Sequence, residues 1–284
     1  MMIVKGEQPG ISEKIKIVLK KRNPGFLTLV DKYLKYKKDV VKFVEDCVHI
    51  KKPEEKESKK FKLDYVQKKI LRSFIKDHYL CLLNTRQVGT STTLKALTAY
   101  ILTCHENCTI AVITNGRFVI DVQEMLDRLP QWLSPRYVYR TSNKIILENG
   151  CCLFSVSKPN SNCIFCGMSI CILIVEDAVF INNLNDIFEC LNPVLATVHK
   201  AAKNEGIPYG IILSSIPGIC EKSHYFRRLW EEIINSDRHL FKPIKVYWKR
   251  ITRFREDPNW YTNVCNMLCN DKRKIDRELN LKFL

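Results

Sequence analysis

The sequence predicts an α/β fold: a mostly parallel central sheet flanked by helices, with a small N-terminal helical segment. Three observations carry that expectation. From Phe61 onward, short apolar runs alternate with stretches of helical periodicity, the pattern of parallel strands joined by crossover helices. The octapeptide Thr85, Arg86, Gln87, Val88, Gly89, Thr90, Ser91, Thr92 lies between an apolar run and a helical pattern, giving strand, loop and helix in that order. A second apolar run, residues 170–175, ends on Glu176 and Asp177.

Residues 1–50 read as helical, with Phe26, Leu29, Val30, Tyr33, Leu34, Val40, Val41 and Val44 at helical spacing among lysines. Residues 51–60 have almost no apolar content and read as a linker. The expected division is therefore 1–60, a basic helical segment with its linker, and 61–284, the α/β domain. Predicted strands cover residues 79–83, 109–114, 170–175, 209–214 and 244–248. Predicted helices cover 91–103, 118–129, 184–199 and 221–234. Residues 144–148 and 151–156 flank Asn149 and Gly150, a two-residue turn signal, and read as a hairpin.

The 284 residues are 46% hydrophobic and 27% charged, an ordinary globular composition. No apolar run approaches the roughly 18 to 20 residues that span a bilayer, so no membrane segment is expected. The N-terminus lacks the apolar centre of a secretory signal, and the 13 cysteines are odd in number, which points to free thiols in a reducing compartment. Cys104 with Cys108, Cys163 with Cys166, and Cys265 with Cys269 lack the second pair or the paired histidines of a tetrahedral site, so no zinc is expected. The net charge of +16, with the basic surplus concentrated in residues 1–60 and 221–284, points first to nucleic acid and second to an acidic protein surface.

A nucleotide site in such a sheet needs a phosphate cradle, a metal-holding carboxylate and a group that positions water, all near the carboxyl ends of the strands. Thr85–Thr92 is the candidate cradle: Gly89 allows close backbone approach, and the Ser91 hydroxyl faces a magnesium ion. The loop lacks the usual first glycine and lysine, so an ordinary strand-to-helix turn fits the octapeptide taken alone. Glu176 and Asp177 are the candidate carboxylates for magnesium and water. Ser214 and Ser215 put two hydroxyls just past a further apolar strand, where short polar tips sense a terminal phosphate.

The words FKLDYVQKKIL, NTRQVGTSTT, ICILIVEDAVFI and IILSSIPG, followed closely by HYFRRLW, occur in an order and spacing that resembles the ATPase domain of the large terminase subunit of tailed bacteriophages, especially the T-even type. The resemblance covers about residues 40–284. It implies a P-loop NTPase sheet of the RecA-like kind, ATP with Mg2+ as ligand, and the role of a DNA packaging motor acting on double-stranded DNA. Gln67 then reads the adenine edge, with Phe61 or Tyr65 packing on the base. Arg86 becomes a charge on the γ-phosphate, and Ser91 and Thr92 the magnesium and phosphate hydroxyls. Ser214 and Ser215 match the motif that couples hydrolysis to subdomain movement. The resemblance further implies portal protein and a small terminase subunit as partners, a ring of like subunits, and the host cell cytoplasm as the place of action.

Three departures predict a weakened or lost ATPase. Thr90 replaces the lysine that places charge on the phosphates. Glu176 and Asp177 reverse the family's order of Asp then Glu, shifting each carboxylate by about 1.5 Å, a displacement that costs on the order of a hundredfold in rate. Cys166 stands where the family commonly has an arginine. Lys95 reaching back is one route of compensation. Terminase large subunits continue into an RNase H-like nuclease, and no nuclease domain is expected in a chain that stops at Leu284. Two alternatives stay open: an inert nucleotide- or DNA-binding assembly protein on the same fold, and a superfamily-two helicase-like ATPase.

Overall fold

Apolar segments from across the chain come together in one twisted sheet. The computed structural model describes residues 24–51, 57–157, 165, 167–236 and 238–284. It divides into two units, Met1–Asp39 and Val40–Leu284. Of the first, residues 24–39 are described, and they hold helix α1 (Pro24–Lys38). The second contains everything that follows.

It opens with α2 (Val40–Cys47), whose Val40, Val41, Phe43, Val44 and Cys47 are buried. Strand β1 (His49–Ile50), at the end of the segment read as helical, pairs as an antiparallel ribbon with β2 (Lys59–Lys60), at the end of the expected linker, and the described residues from Val40 to Lys60 belong to the second unit. Then come α3 (Tyr65–Asp77), β3 (Tyr79–Asn84), α4 (Thr90–Cys104), β4 (Thr109–Ile113), α5 (Phe118–Asp127), β5 (Tyr137–Arg140), β6 (Lys144–Leu147), β7 (Cys152–Val156) and β8 (Ile172–Glu176). After these follow α6 (Leu184–Glu205), β9 (Gly210–Ser215), α7 (Tyr225–Ile234), β10 (Lys242–Val246), α8 (Thr252–Arg255), α9 (Trp260–Met267) and α10 (Lys272–Glu278).

Among the described residues the sheet has eight strands, in the order β10-β3-β9-β8-β4-β7-β6-β5. From β10 to β7 neighbours run parallel, and β6 and β5 add an antiparallel edge. Strands β3, β4, β8 and β9 lie at the centre and are buried on both faces, which is why they read as continuous apolar runs and not as alternating ones. The edge strand β5, with Tyr137, Val138, Tyr139 and Arg140 largely exposed, has no such run and is absent from the predicted strands.

Helix α4 is buried nearly all round, leaving Ser91, Thr92 and Lys95 as the positions with access to solvent. Its buried threonines turn their hydroxyls back onto the helix: Thr93 donates to Gly89 O at 2.9 Å, Thr98 to Leu94 O at 2.9 Å, and Thr103 to Ala99 O at 2.8 Å. The hairpin forms with a loop one residue longer than Asn149-Gly150. Gly150 N–H donates to Leu147 O at 3.1 Å and Leu147 N–H to Cys151 O at 2.9 Å, with Gly150 at φ 79°, the left-handed geometry of a three-residue hairpin loop. Asn149 is used elsewhere, its amide donating at 2.9 Å to both Leu102 O and His105 O at the end of α4.

Other boundaries move for local reasons. Helix α6 continues to Glu205 through Pro193. Helix α7 starts at Tyr225, where the His224 ring accepts the Phe226 N–H. Strand β10 starts at Lys242, and Trp248 begins a 3-10 turn instead of ending the strand. None of the described helices is long and apolar enough to cross a membrane.

Candidate nucleotide site

Strand β3 delivers Asn84 to the carboxyl edge of the sheet, where the chain turns through residues 85–89 into α4. The turn is held along its length. Thr85 N–H donates to Val246 O at 3.0 Å, and the Thr85 hydroxyl accepts the Trp248 N–H at 3.3 Å. Val88 O accepts from the Gln67 amide at 3.3 Å, and Gln87 O accepts from the Arg253 guanidinium. Gln87 at φ 59° and Gly89 at φ 80° are both left-handed. The left-handed backbone at Gly89 favours glycine, and a Cβ there would lie 2.7 Å from Gln67 Nε2 and displace that amide.

Gln67 is buried, and its carbonyl oxygen accepts the Asp64 N–H at 2.9 Å. Its amide therefore ties the start of α3 to the loop. It is no solvent-facing helix residue, and each end of the amide already has one protein partner; one N–H and one lone pair remain for a ligand.

A cavity of about 770 Å³ opens in front of the loop. The loop and helix contribute Thr85, Gln87, Val88, Gly89, Thr90, Ser91 and Thr92; Asn84, Asp64, Gln67 and Phe61 form further wall; Ile50, Lys51, Lys59, Lys60 and Lys62 come from the ribbon and its flank; Arg253 comes from α8. Among the described residues, five cationic residues and one carboxylate line the cavity around the N-terminus of a buried helix, the electrostatics of an anion site. Thr90 Oγ1 is buried without a hydrogen-bond partner. A buried hydroxyl left unpaired is costly, and a ligand oxygen would satisfy it.

The expected residues divide between this cavity and its surroundings. Phe61, Gln67, Thr85, Gln87, Gly89, Thr90, Ser91 and Thr92 line it. Tyr65 is 73% exposed and lies outside the lining, so of the two aromatic candidates only Phe61 faces the cavity. Arg86 also lies outside the lining, its Nε 2.8 Å from Glu278 Oε2 on α10. Lys95 does not reach back to the loop; its ammonium pairs with Asp121 at 2.7 Å.

The carboxylates and serines stand on neighbouring strands. Glu176 ends β8, beside Ser214 on β9, and β9 neighbours β3. Thr114 donates to Glu176 Oε2 at 2.8 Å, while Glu176 Oε1 is buried without a partner, a free acceptor that suits a cation or a donor. Asp177 is exposed, with φ 51° at the start of the 3-10 turn Ala178–Phe180. Ser214 Oγ lies 3.0 Å from Asn84 Oδ1, and Ser215 Oγ accepts the Val179 N–H at 3.1 Å. The two serines therefore link the end of the loop strand to the turn after the acidic pair. Cys166 lies outside the described residues.

Arg253, Asn84, Thr114 and the ribbon lysines join the site without being among the expected residues. Asn84 and Thr114 have a readable signal, a polar residue ending an apolar parallel strand. Arg253 has none, because only the tertiary fold brings a residue so distant in sequence to the loop.

No family model matches the chain, and no curated protein does. Solved structures do. The chain is similar to the large terminase ATPase domain of Thermus phage P74-26, with a TM-score of 0.60 at 15% identity over 79% of this chain and 95% of that one. It is similar to the large terminase of a thermophilic bacteriophage, with a TM-score of 0.58 at 9% identity, covering 79% of this chain and 54% of that one, about half its length. That second terminase has also been solved with ATP-γ-S, at a TM-score of 0.53 and 7% identity over 78% of this chain and 53% of that one. The shared fold is that of the large terminase ATPase domain, and the sheet order here is the one this chain uses to bring loop, acidic pair and serine motif to a common edge.

Proposed function

We propose that this chain is the ATPase domain of a terminase-type DNA packaging motor that binds ATP at the loop of residues 85–92 and acts on double-stranded DNA, with impaired hydrolysis. The observation that carries the nucleotide reading is the unpaired, buried hydroxyl of Thr90, a residue at the head of α4 in the wall of a cation-lined cavity. The likeness in fold to two phage terminases supports the motor reading, and the net charge of +16 suits a DNA backbone.

In this reading the N–H groups at the start of α4, with Thr90 and Thr92, receive the phosphates, and Phe61 packs against the base. Gln67 keeps the loop at the depth the base requires and offers its remaining amide N–H and lone pair to the adenine edge. Ser91 and Glu176 would hold magnesium, whose chemistry there is to neutralise developing charge on the phosphate oxygens. Asp177 orients water, and Ser214 and Ser215 transmit a change at the loop strand to the acidic turn. Portal protein, a small terminase subunit and further copies of the chain are the proposed partners, in the host cell cytoplasm.

Binding with little turnover is favoured by the partners of the loop's cations: Arg86 is held by Glu278, and Lys95 by Asp121. Magnesium-dependent ATP hydrolysis by the purified chain, with Glu176→Ala alongside, separates a slow motor from an inert one. A rate above that of the variant supports the motor, and equal rates mean that the chain does not turn ATP over. Unwinding of a forked duplex would instead point to a helicase.

A further inference from the structure

The loop has a threonine at the position where such loops carry a lysine, yet its cavity is not short of positive charge. Two cations on or near the loop are committed elsewhere, Arg86 to Glu278 at 2.8 Å and Lys95 to Asp121 at 2.7 Å. Arg253 is not. It lines the cavity, its guanidinium donates to the neutral carbonyl of Gln87, and among the described residues no carboxylate forms an ion pair with it.

Arg253 is also held in position. Thr252 N–H donates to Asp64 Oδ1 at 3.3 Å, fixing the α8 turn to the start of α3. Phe254, beside it, is buried and stacks on Trp260 with ring centroids 4.3 Å apart, and the Arg253 guanidinium lies 4.7 Å over the Phe254 ring. A guanidinium has five N–H donors in a rigid fork, so one bond to Gln87 leaves the others for phosphate oxygens. The carbonyl it holds belongs to Gln87, whose left-handed backbone shapes the loop next to Gly89.

We infer that Arg253 is the phosphate-binding cation of this site, supplying from α8 the charge that the loop's lysine supplies in other phosphate-binding loops, and so making the site select polyphosphates over nucleosides. This rests on the nucleotide reading proposed above. It differs from a purely structural role for Arg253, in which the side chain only braces the loop.

The test is equilibrium binding of ATP, tripolyphosphate and adenosine to the whole chain, for wild type, Arg253→Gln, Arg253→Lys and Arg253→Gln combined with Thr90→Lys, with circular dichroism as the check on folding. The expected result is that Arg253→Gln weakens ATP and tripolyphosphate by about tenfold or more, as loss of a charged hydrogen bond does, and leaves adenosine unchanged. Arg253→Lys should retain most of the affinity, and adding Thr90→Lys should recover it. Unchanged ATP binding in Arg253→Gln overturns the inference, as does an equal loss for ATP and adenosine, the signature of a brace. Wild type that binds none of the three ligands overturns the nucleotide reading itself, a result distinct from either.

Discussion

Thr90 sits where the loop's charge normally resides, and its hydroxyl is buried with no partner. That combination makes it the most informative side chain for substitution. In Thr90→Lys an ammonium would meet the phosphates directly, and ATP affinity should rise by about tenfold or more, measured by fluorescence competition. No change would mean that the loop does not cradle phosphate. Gly89 is constrained in two ways, by its left-handed backbone and by Gln67 Nε2 lying 2.7 Å from where a Cβ would be. Gly89→Ala should therefore destabilise the fold by about 1–3 kcal/mol in urea unfolding, with weaker nucleotide binding. A neutral effect would show that the loop yields without cost. At this scale the sequence was most legible where backbone chemistry is specific: the glycine, the hydroxyls after it and the carboxylates ending a strand were all readable. Partnerships were not readable, because Arg86 finding Glu278, or Gln87 finding Arg253, depends on elements far apart in the chain.

Among the elements, the central strands were legible because burial on both faces imposes an unbroken apolar run, and α4 because Leu94, Leu97, Tyr100 and Ile101 recur at helical spacing just after the loop. Strand β2 falls in the stretch read as a linker and β1 at the end of the stretch read as helical, because strands of two residues each, with Lys59 and Lys60 exposed, leave no strand signal. Pairing alone defines the ribbon, and it carries lysines to the mouth of the cavity. The Asn149-Gly150 signal marked the hairpin correctly but not its loop length, since Asn149 is drawn to the end of α4. That contact joins a hairpin turn to a helix C-terminus and satisfies two carbonyls there. Asn149→Ala should accordingly cost about 1–2 kcal/mol in chemical denaturation, while Asn143→Ala, in the exposed turn between β5 and β6, should cost less. Equal effects would remove the claim that Asn149 caps α4.

At the scale of the whole molecule, the sheet places the loop of residues 85–92 at its carboxyl edge and a cluster of aromatic and histidine side chains at the opposite one. There Tyr79 Oη lies 2.8 Å from His199 Nδ1, and burial lowers the His199 pKa from its ordinary 6.5 to about 4. Burial lowers His78 and His224 as well. Because the folded state resists protonation, the unfolded chain binds more protons between pH 6.5 and 4, so stability is complete above 6.5 and falls as pH drops through that window. His199 alone contributes at most about 1.4 kcal/mol per pH unit there. Melting temperatures should decline from about pH 7 to pH 4, and His199→Phe should flatten the decline; an unchanged slope would contradict the buried neutral histidine. The function proposed for the opposite edge stands on whether the 85–92 loop holds a nucleotide at all. Calorimetric titration of ATP with magnesium into the intact chain at low salt decides this most directly. Saturable binding of one ATP per chain, weakened in Arg253→Gln and strengthened in Thr90→Lys, is the predicted result. Absence of binding at millimolar ATP, in wild type and Thr90→Lys alike, would contradict it.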